Sequence, residues 1–397
     1  MPPLDRFPND PFFKRGPNIR WNACIGTQGD EHSYVIGYMQ AAMELVSAVI
    51  DKNQPSKRDT LILPILYNTR HAIELALKFC ARRLVYAGLV HGPVKTGHKV
   101  RPLWQMLIDS KIGDRTLARN IEALKPYVDS ITAIDHDGQE LRYHRNTDDD
   151  PSLSKYSIAS LEVIRDSLAP LAEIVDTLLF HTIDFLQDRM TGTYTARCSR
   201  FDLFELTEML PPLAQWKDPI FDTARAQIRA EFGLSSNEFS KAINVIKAHR
   251  ELRARLGGET PLQYLTDDLI VDVVREWRKW HPKRERSSPM GMRGSDFTAK
   301  MFVNAIRKEA TVVATITKLL TPEQFGELAA IFFLARDRYY SEDFLECTKK
   351  ETNSFVVHDD PAVQIVYLFE KTNFLAKLIV GVAQIGRLKL AETLSTL

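Results

Sequence analysis

Five residues on one stretch, Tyr67, Arg70, His71, Glu74 and Lys78, have the types and the spacing to do chemistry. Tyr67, His71, Glu74 and Lys78 follow steps of four, three and four, which places them on one stripe of a helix. An imidazole can move protons, a guanidinium can hold a phosphate, and a carboxylate can orient either of them. Glu74 and Lys78 also have the favourable order for an i,i+4 ion pair. Around the stripe almost every residue is apolar (Leu66, Ala72, Ile73, Leu75, Ala76, Leu77, Phe79, Cys80, Leu84). A helix apolar over about half its circumference contacts several neighbours and is central to its domain. Two readings follow: a solvated face with one salt bridge, or a polar stripe lining a cleft.

The elements that must position this stripe read as helices almost without interruption from Ser33 onward. Residues 1–34, rich in Pro, Gly, Asn and Asp, read as an extended arm. Apolar residues at helical spacing run from Ile36 to Asp51, then Asn53-Gln-Pro-Ser breaks the pattern. The central helix follows from about Arg58 to Ala87 and is closed by Gly88. After a loop at His91–Gly97 come helices over Val100–Asp109 and Arg115–Ile134, the latter with a break or kink at Pro126. Asp135–Pro151 is a polar loop, and Tyr156–Arg189 a long helix with a kink at Pro170. The sequence therefore predicts an all-α chain with an antiparallel helical bundle over 35–190. A linker is expected over 191–199 and a second helical domain over 200–397.

Three short motifs occur in order along this first domain: Arg70-His-Ala-Ile-Glu-Leu-Ala-Leu-Lys78, Gly97-His98 leading to Leu103-Trp104, and Leu141-Arg142-Tyr143-His144-Arg145. Their order and spacing resemble the HEPN superfamily of helical bundles. The resemblance covers roughly residues 35–190. It implies a polar cleft built from Tyr67, Arg70, His71, Glu74, Lys78, His98, Arg142 and Tyr143. It implies association with RNA or a nucleotide in a bacterial defence or stress system, and pairing with a second copy or a partner protein. Catalytic relatives are metal-independent ribonucleases, often toxins, that use an Arg followed four to six residues later by a His across a dimer. This bundle lacks that spacing. Arg83 is too far from His91, and Arg142 is too close to His144. The resemblance thus implies a binding module more directly than a nuclease.

The second domain holds one Arg and His pair at the nuclease spacing, Arg275 and His281, inside Arg275-Glu-Trp277-Arg278-Lys279-Trp280-His281-Pro-Lys283-Arg284-Glu-Arg286. This is the densest basic segment of the chain. Its cations could neutralise phosphates, and its two Trp rings could stack on bases. The plainer reading is a helix end whose cations suit the helix dipole, with the Trp residues packed inward. Phe221–Ala248 is a second candidate: a helix, a turn at Gly233, then a helix offering Asn237, Ser240, Lys241 and Asn244, in the manner of a helix-turn-helix. Arg229 stands four before the glycine, where closely crossing helices require a small residue. Two packed helices joined by a glycine is the simpler account.

Bulk properties add little. Lys plus Arg is 52 against 51 for Asp plus Glu, so any nucleic-acid role must rest on a local patch. Cys24, Cys80, Cys198 and Cys347 are scattered, with no CxxC, so neither a zinc site nor a disulfide framework is expected, and a reducing cytoplasm fits. The acidic group of Asp135, Asp137 and Asp148–Asp150 reads as a solvated loop rather than a metal site. No cofactor is expected. The late apolar stretches Leu328–Ala335 and Asn373–Gly386 are too short or too interrupted to span a bilayer, so no membrane partner is expected either.

Overall fold

The computed structural model describes residues 12, 16–26, 29–94, 97–146, 149–282, 299–358 and 360–397, with side chains excluded over 299–306. Among the described residues there is no β-strand, only an isolated bridge between Arg145 and Pro151. The chain is all-α, and it divides into two compact units, Met1–Leu186 and Gln187–Leu397.

The first unit contains α1 (Glu31–Ile50), α2 (Arg58–Tyr86), α3 (Val100–Asp109), α4 (Arg115–Ala123), α5 (Lys125–Ile134) and most of α6 (Leu161–Met190). It is a helical bundle around α2, whose Ile65, Ala72, Ile73, Ala76, Leu77, Phe79, Cys80, Ala81 and Leu84 are all buried. That apolar run is what makes α2 central, and Pro64 near its start does not interrupt it. α2 ends where expected: Gly88 takes a left-handed φ of 71°, and Leu89 N–H returns to the Leu84 carbonyl at 2.9 Å. Pro126 does break the predicted Arg115–Ile134 helix, serving as a first-turn residue of α5. The long C-terminal helix starts at Leu161 rather than Tyr156, and Pro170 lies within it without ending it. By length and composition α1 could cross a membrane, yet its Val35, Met39, Ala42, Val46 and Val49 are spent on this core.

The second unit has two apolar clusters. The smaller joins α7 (Arg200–Glu208), α8 (Pro219–Phe232), α9 (Ser236–Ala248) and α10 (Arg250–Arg255). Of the segment 191–199, expected as a linker, Cys198 packs in this cluster and Ser199 is buried. The apolar spacing over Ser236–Leu256 and over Pro361–Leu394 predicts one helix each; the first is two helices and the second is three. His249 adopts an extended ψ of 121° and its ring caps α10 by accepting from Leu252 N–H. The larger cluster joins α11 (Asp267–Trp280), α12 (Ala299–Leu319), α13 (Pro322–Asp337), α14 (Phe344–Val357), α15 (Pro361–Phe369), α16 (Phe374–Gln384) and α17 (Leu388–Thr396). Two glycines allow close crossings: a Cβ at Gly381 would collide with the Ile331 carbonyl of α13, and one at Gly326 with Thr352 of α14.

Candidate functional site

The polar stripe of α2 splits into two parts. Arg70 and Glu74 turn inward, each only 1% exposed, while His71 lies half-buried at the side. The Arg70 guanidinium is a hub. Its Nη1 donates to Glu74 Oε2 at 2.8 Å and its Nη2 to the His98 carbonyl at 2.6 Å. Its Nε donates to the Asp135 carbonyl at 3.3 Å, with Asp135 Oδ2 3.2 Å away as an ionic neighbour. All three nitrogens are thus paired, which is the condition for a buried guanidinium to be tolerated.

The 135–142 loop is shaped to meet that hub. Asp135 Oδ1 accepts from the N–H groups of Gly138 (2.8 Å) and Glu140 (3.2 Å), closing an Asx-type turn. Gly138 has φ of 88°, and a Cβ there would lie 3.2 Å from both Arg70 terminal nitrogens. Glycine suits both the positive φ and the close approach of this backbone to the guanidinium. Arg142 then folds back, Nε donating to the Gly138 carbonyl at 2.5 Å, and lies over the exposed Tyr143 ring at 5.5 Å.

Glu74 organises the other side. Its Oε1 accepts from Lys78 Nζ at 2.7 Å and meets His98 Nδ1 at 3.0 Å. Burial alone would raise the Glu74 carboxyl. Hydrogen bonds from Lys78, Arg70 and His98, with the Lys78 charge, outweigh it and hold the group below its ordinary value. As a carboxylate Glu74 only accepts, so it keeps a proton on His98 Nδ1. The His98 side chain is 50% exposed and forms the rim of the cluster. His71 is outside this network. Its ring stacks parallel on Tyr67 at 5.7 Å and edge-on to Tyr38 at 4.4 Å, and burial lowers its proton affinity.

The structure therefore brings together Arg70, Glu74, Lys78, His98, Arg142 and Tyr143. It sets Tyr67 and His71 apart as an aromatic contact with α1. The polar cleft of the sequence reading is closed at its base and open only at its rim. Asp135 and Gly138, essential to the geometry, lie outside the three motifs, and Asp135, expected in a solvated loop, is buried against Arg70. The turn signal Asp135-His-Asp-Gly138 was their available trace. Among the described residues no group of three or more His, Cys, Asp or Glu is placed to hold a metal ion.

The basic segment of the second unit is arranged differently. Trp277 is a core residue, 2% exposed, its indole N–H donated to the Phe369 carbonyl at 3.0 Å, so it has no face for a base. His281 also reaches that carbonyl, Nε2 at 2.9 Å, and its ring lies between Trp277 and Trp280. Arg275 pairs with Asp272 at 3.0 Å and Lys279 with Glu276, both on the surface. Arg278 lies over the Trp277 ring at 5.1 Å. No contact joins Arg275 to His281 among the described residues. Lys283, Arg284 and Arg286 lie outside them.

Sequence reasoning missed a second buried network entirely. Arg200 clasps Glu342 through Nε (2.9 Å) and Nη2 (3.2 Å). His249 Nε2 meets the same carboxylate at 3.1 Å, and Ser341 Oγ donates to Glu251 at 2.8 Å. Burial would raise the Glu342 carboxyl, but its bonds to His249 and Arg200 drive it far below the usual carboxylate range. With Nδ1 accepting from Leu252 N–H, His249 must carry its proton on Nε2, so this Ser, His and Glu grouping has no base to offer. It is a fastening between α7, α10 and the start of α14.

Compared with family models, curated proteins and solved structures, the chain finds no match in any of the three.

Proposed function

We propose that residues 35–190 act as a HEPN-like RNA- or nucleotide-associated module of a bacterial defence or stress system, and that the rim of the Arg70 hub is its contact surface. The observation that supports this reading is convergence. One guanidinium touches Glu74 of the first motif, the His98 carbonyl of the second, and Asp135 with Gly138 just before the third. Segments far apart in sequence meet at one place and leave His98, Arg142 and Tyr143 around it. The division of labour follows from burial. Arg70 and Glu74 are fully committed to one another and to the loops, so they position. His98, Arg142 and Tyr143 reach solvent, so they bind. A guanidinium over an exposed phenol ring offers a phosphate partner and a stacking face together.

One further observation favours a second reading, RNA cleavage. Glu74 orients the half-exposed His98 imidazole through Nδ1, leaving Nε2 of the neutral ring as a lone-pair nitrogen suited to general acid–base chemistry. The two readings separate in one experiment. The full chain is titrated into fluorescent single-stranded RNA in EDTA, and the same samples are run on a denaturing gel. Binding that falls with salt and weakens about tenfold or more in Tyr143→Ala, with intact RNA, fits the binding module. Cleavage lost in His98→Ala fits the nuclease. Neither binding nor cleavage, in a chain whose helical signal is intact, overturns both.

A further inference from the structure

The second unit carries a motif that the first unit's role does not use. We propose that the α8–Gly233–α9 hairpin reads double-stranded DNA, with α9 as the element that enters the major groove.

The hairpin is built as a fixed corner. Gly233 has a left-handed φ of 62°, and Leu234 N–H returns to the Arg229 carbonyl at 3.0 Å, closing α8. Two residues later Ser235 and Glu238 form a reciprocal capping box that opens α9. Ile228, Phe232, Leu234, Phe239, Ala242 and Ile246 are all buried in the cluster that includes Leu203 and Leu206 of α7. One face of α9 is thereby spent on the core, and its angular position is set.

The opposite face is the informative one. Asn237, Ser240, Lys241 and Asn244 are exposed, and they stand at steps of three, one and three, a single stripe about 10 Å long. The side chains of Asn237, Lys241 and Asn244 make no hydrogen bond or ion pair among the described residues. The stripe holds no carboxylate, since Glu238 is turned to cap Ser235 and faces Arg197 at 3.8 Å. One turn on, Lys247 lies over the Trp216 ring at 4.8 Å. Amides, a hydroxyl and an ammonium are the groups that read base edges: Asn pairs with adenine through two hydrogen bonds, and Lys reaches guanine or a phosphate.

Arg229, at the position where closely crossing helices require a small residue, is accommodated. Its Nε donates to the Leu234 carbonyl at 3.2 Å, so its guanidinium lies along the turn and adds a cation beside the start of α9. The chemistry also selects among partners. A helix about 10–12 Å across fits the B-form major groove, whereas the A-form groove of duplex RNA is too narrow to admit it. A protein partner would call for a large apolar or aromatic anchor, and this stripe has none.

The test uses the full chain and a fluorescent pool of random-sequence DNA duplexes, with duplex RNA of the same length beside it. Duplex DNA is expected to bind with an affinity that falls as salt rises. Lys241→Ala should weaken binding across all sequences, and the pair Asn237→Ala and Asn244→Ala should weaken the best-retained sequences by about tenfold or more. His98→Ala and Tyr143→Ala should leave duplex binding unchanged, so failure here is distinct from failure of the RNA proposal. The exposed substitutions should keep the helical signal, which circular dichroism checks. Absence of duplex DNA binding, binding unaltered when Asn237→Ala, Lys241→Ala and Asn244→Ala are combined, or equal binding of duplex RNA would overturn the assignment.

Discussion

Each unit contains a buried ionic network, and the two differ in a way that separates function from fastening. In the first, Arg70 bridges Glu74 and Asp135, and the network ends in a half-exposed His98. In the second, Arg200 and His249 converge on Glu342 with Ser341, only 3% exposed, beside them, and Glu251 leads outward to the Arg255 and Glu208 pair. Both satisfy the demand that a buried charge be paired. Only the first ends in a half-exposed imidazole; the second presents the closed Arg255 and Glu208 ion pair. The comparison teaches that a constellation of catalytic residue types is not a site. A Ser, His and Glu lie within reach of one another in the second unit, and the geometry closes them off.

The largest expected effect breaks the first network. Arg70→Met leaves two buried carboxylates without their main partner and should cost about 3–5 kcal/mol. The readout is hydrogen exchange of α2 amides, which isolates this unit from the rest. Glu342→Gln should cost less, about 1–3 kcal/mol, because Arg200 keeps Glu251 at 3.6 Å and lies over the Phe204 and Tyr340 rings. Equal costs would mean that the redundancy in the second network carries no weight.

Gly138→Ala comes next. A positive φ and a Cβ 3.2 Å from the guanidinium should together cost about 1–3 kcal/mol. Gly88→Ala, with φ of 71° and open space, tests the backbone term alone and should cost about 1 kcal/mol. Indistinguishable losses would show that the loop does not press on Arg70.

Acid should weaken the first unit through two groups with the same sign. His71 has a lowered pKa, so the unfolded chain takes up its proton first as pH falls through 6.5. Glu74 is also lowered, so its contribution is full above 4.5 and is lost as pH falls through its folded value. Protection of α2 amides, taken relative to their intrinsic exchange rate at each pH, should fall from pH 8 to 6 to 5, and His71→Gln should remove the part near 6.5. An unchanged profile in that variant would contradict the burial of the ring. The smallest effect is at the basic segment: Arg275→Ala and Lys279→Ala, both in surface pairs, should each change stability by less than about 0.5 kcal/mol.

Much of this was legible in the sequence because it is local. The apolar arc of α2, the Glu74 to Lys78 spacing and the glycine closing that helix all act within a few positions. Helix breaks were less legible. His249 and Gly386 divide runs that read as continuous, since each break is fixed by a contact with a distant segment: Gly386 packs on the Arg250 carbonyl, and Ser341 and Glu342 meet His249. The rim was legible as three motifs, but not their meeting point, because nothing local says that Arg70 reaches both His98 and Asp135. The inward turn of Trp277 was offered by the pattern and decided only by packing against Phe369 and Phe374.

The central claim is that RNA contacts the rim of the first unit, and photo-crosslinking maps that contact directly. Single-stranded RNA carrying a photoreactive base is bound to the full chain, irradiated, and the modified peptides are identified. The account predicts crosslinks on the peptides that contain His98 and Tyr143, lost in Tyr143→Ala. Crosslinks confined to the second unit, or none at protein concentrations that saturate RNA binding, would contradict it.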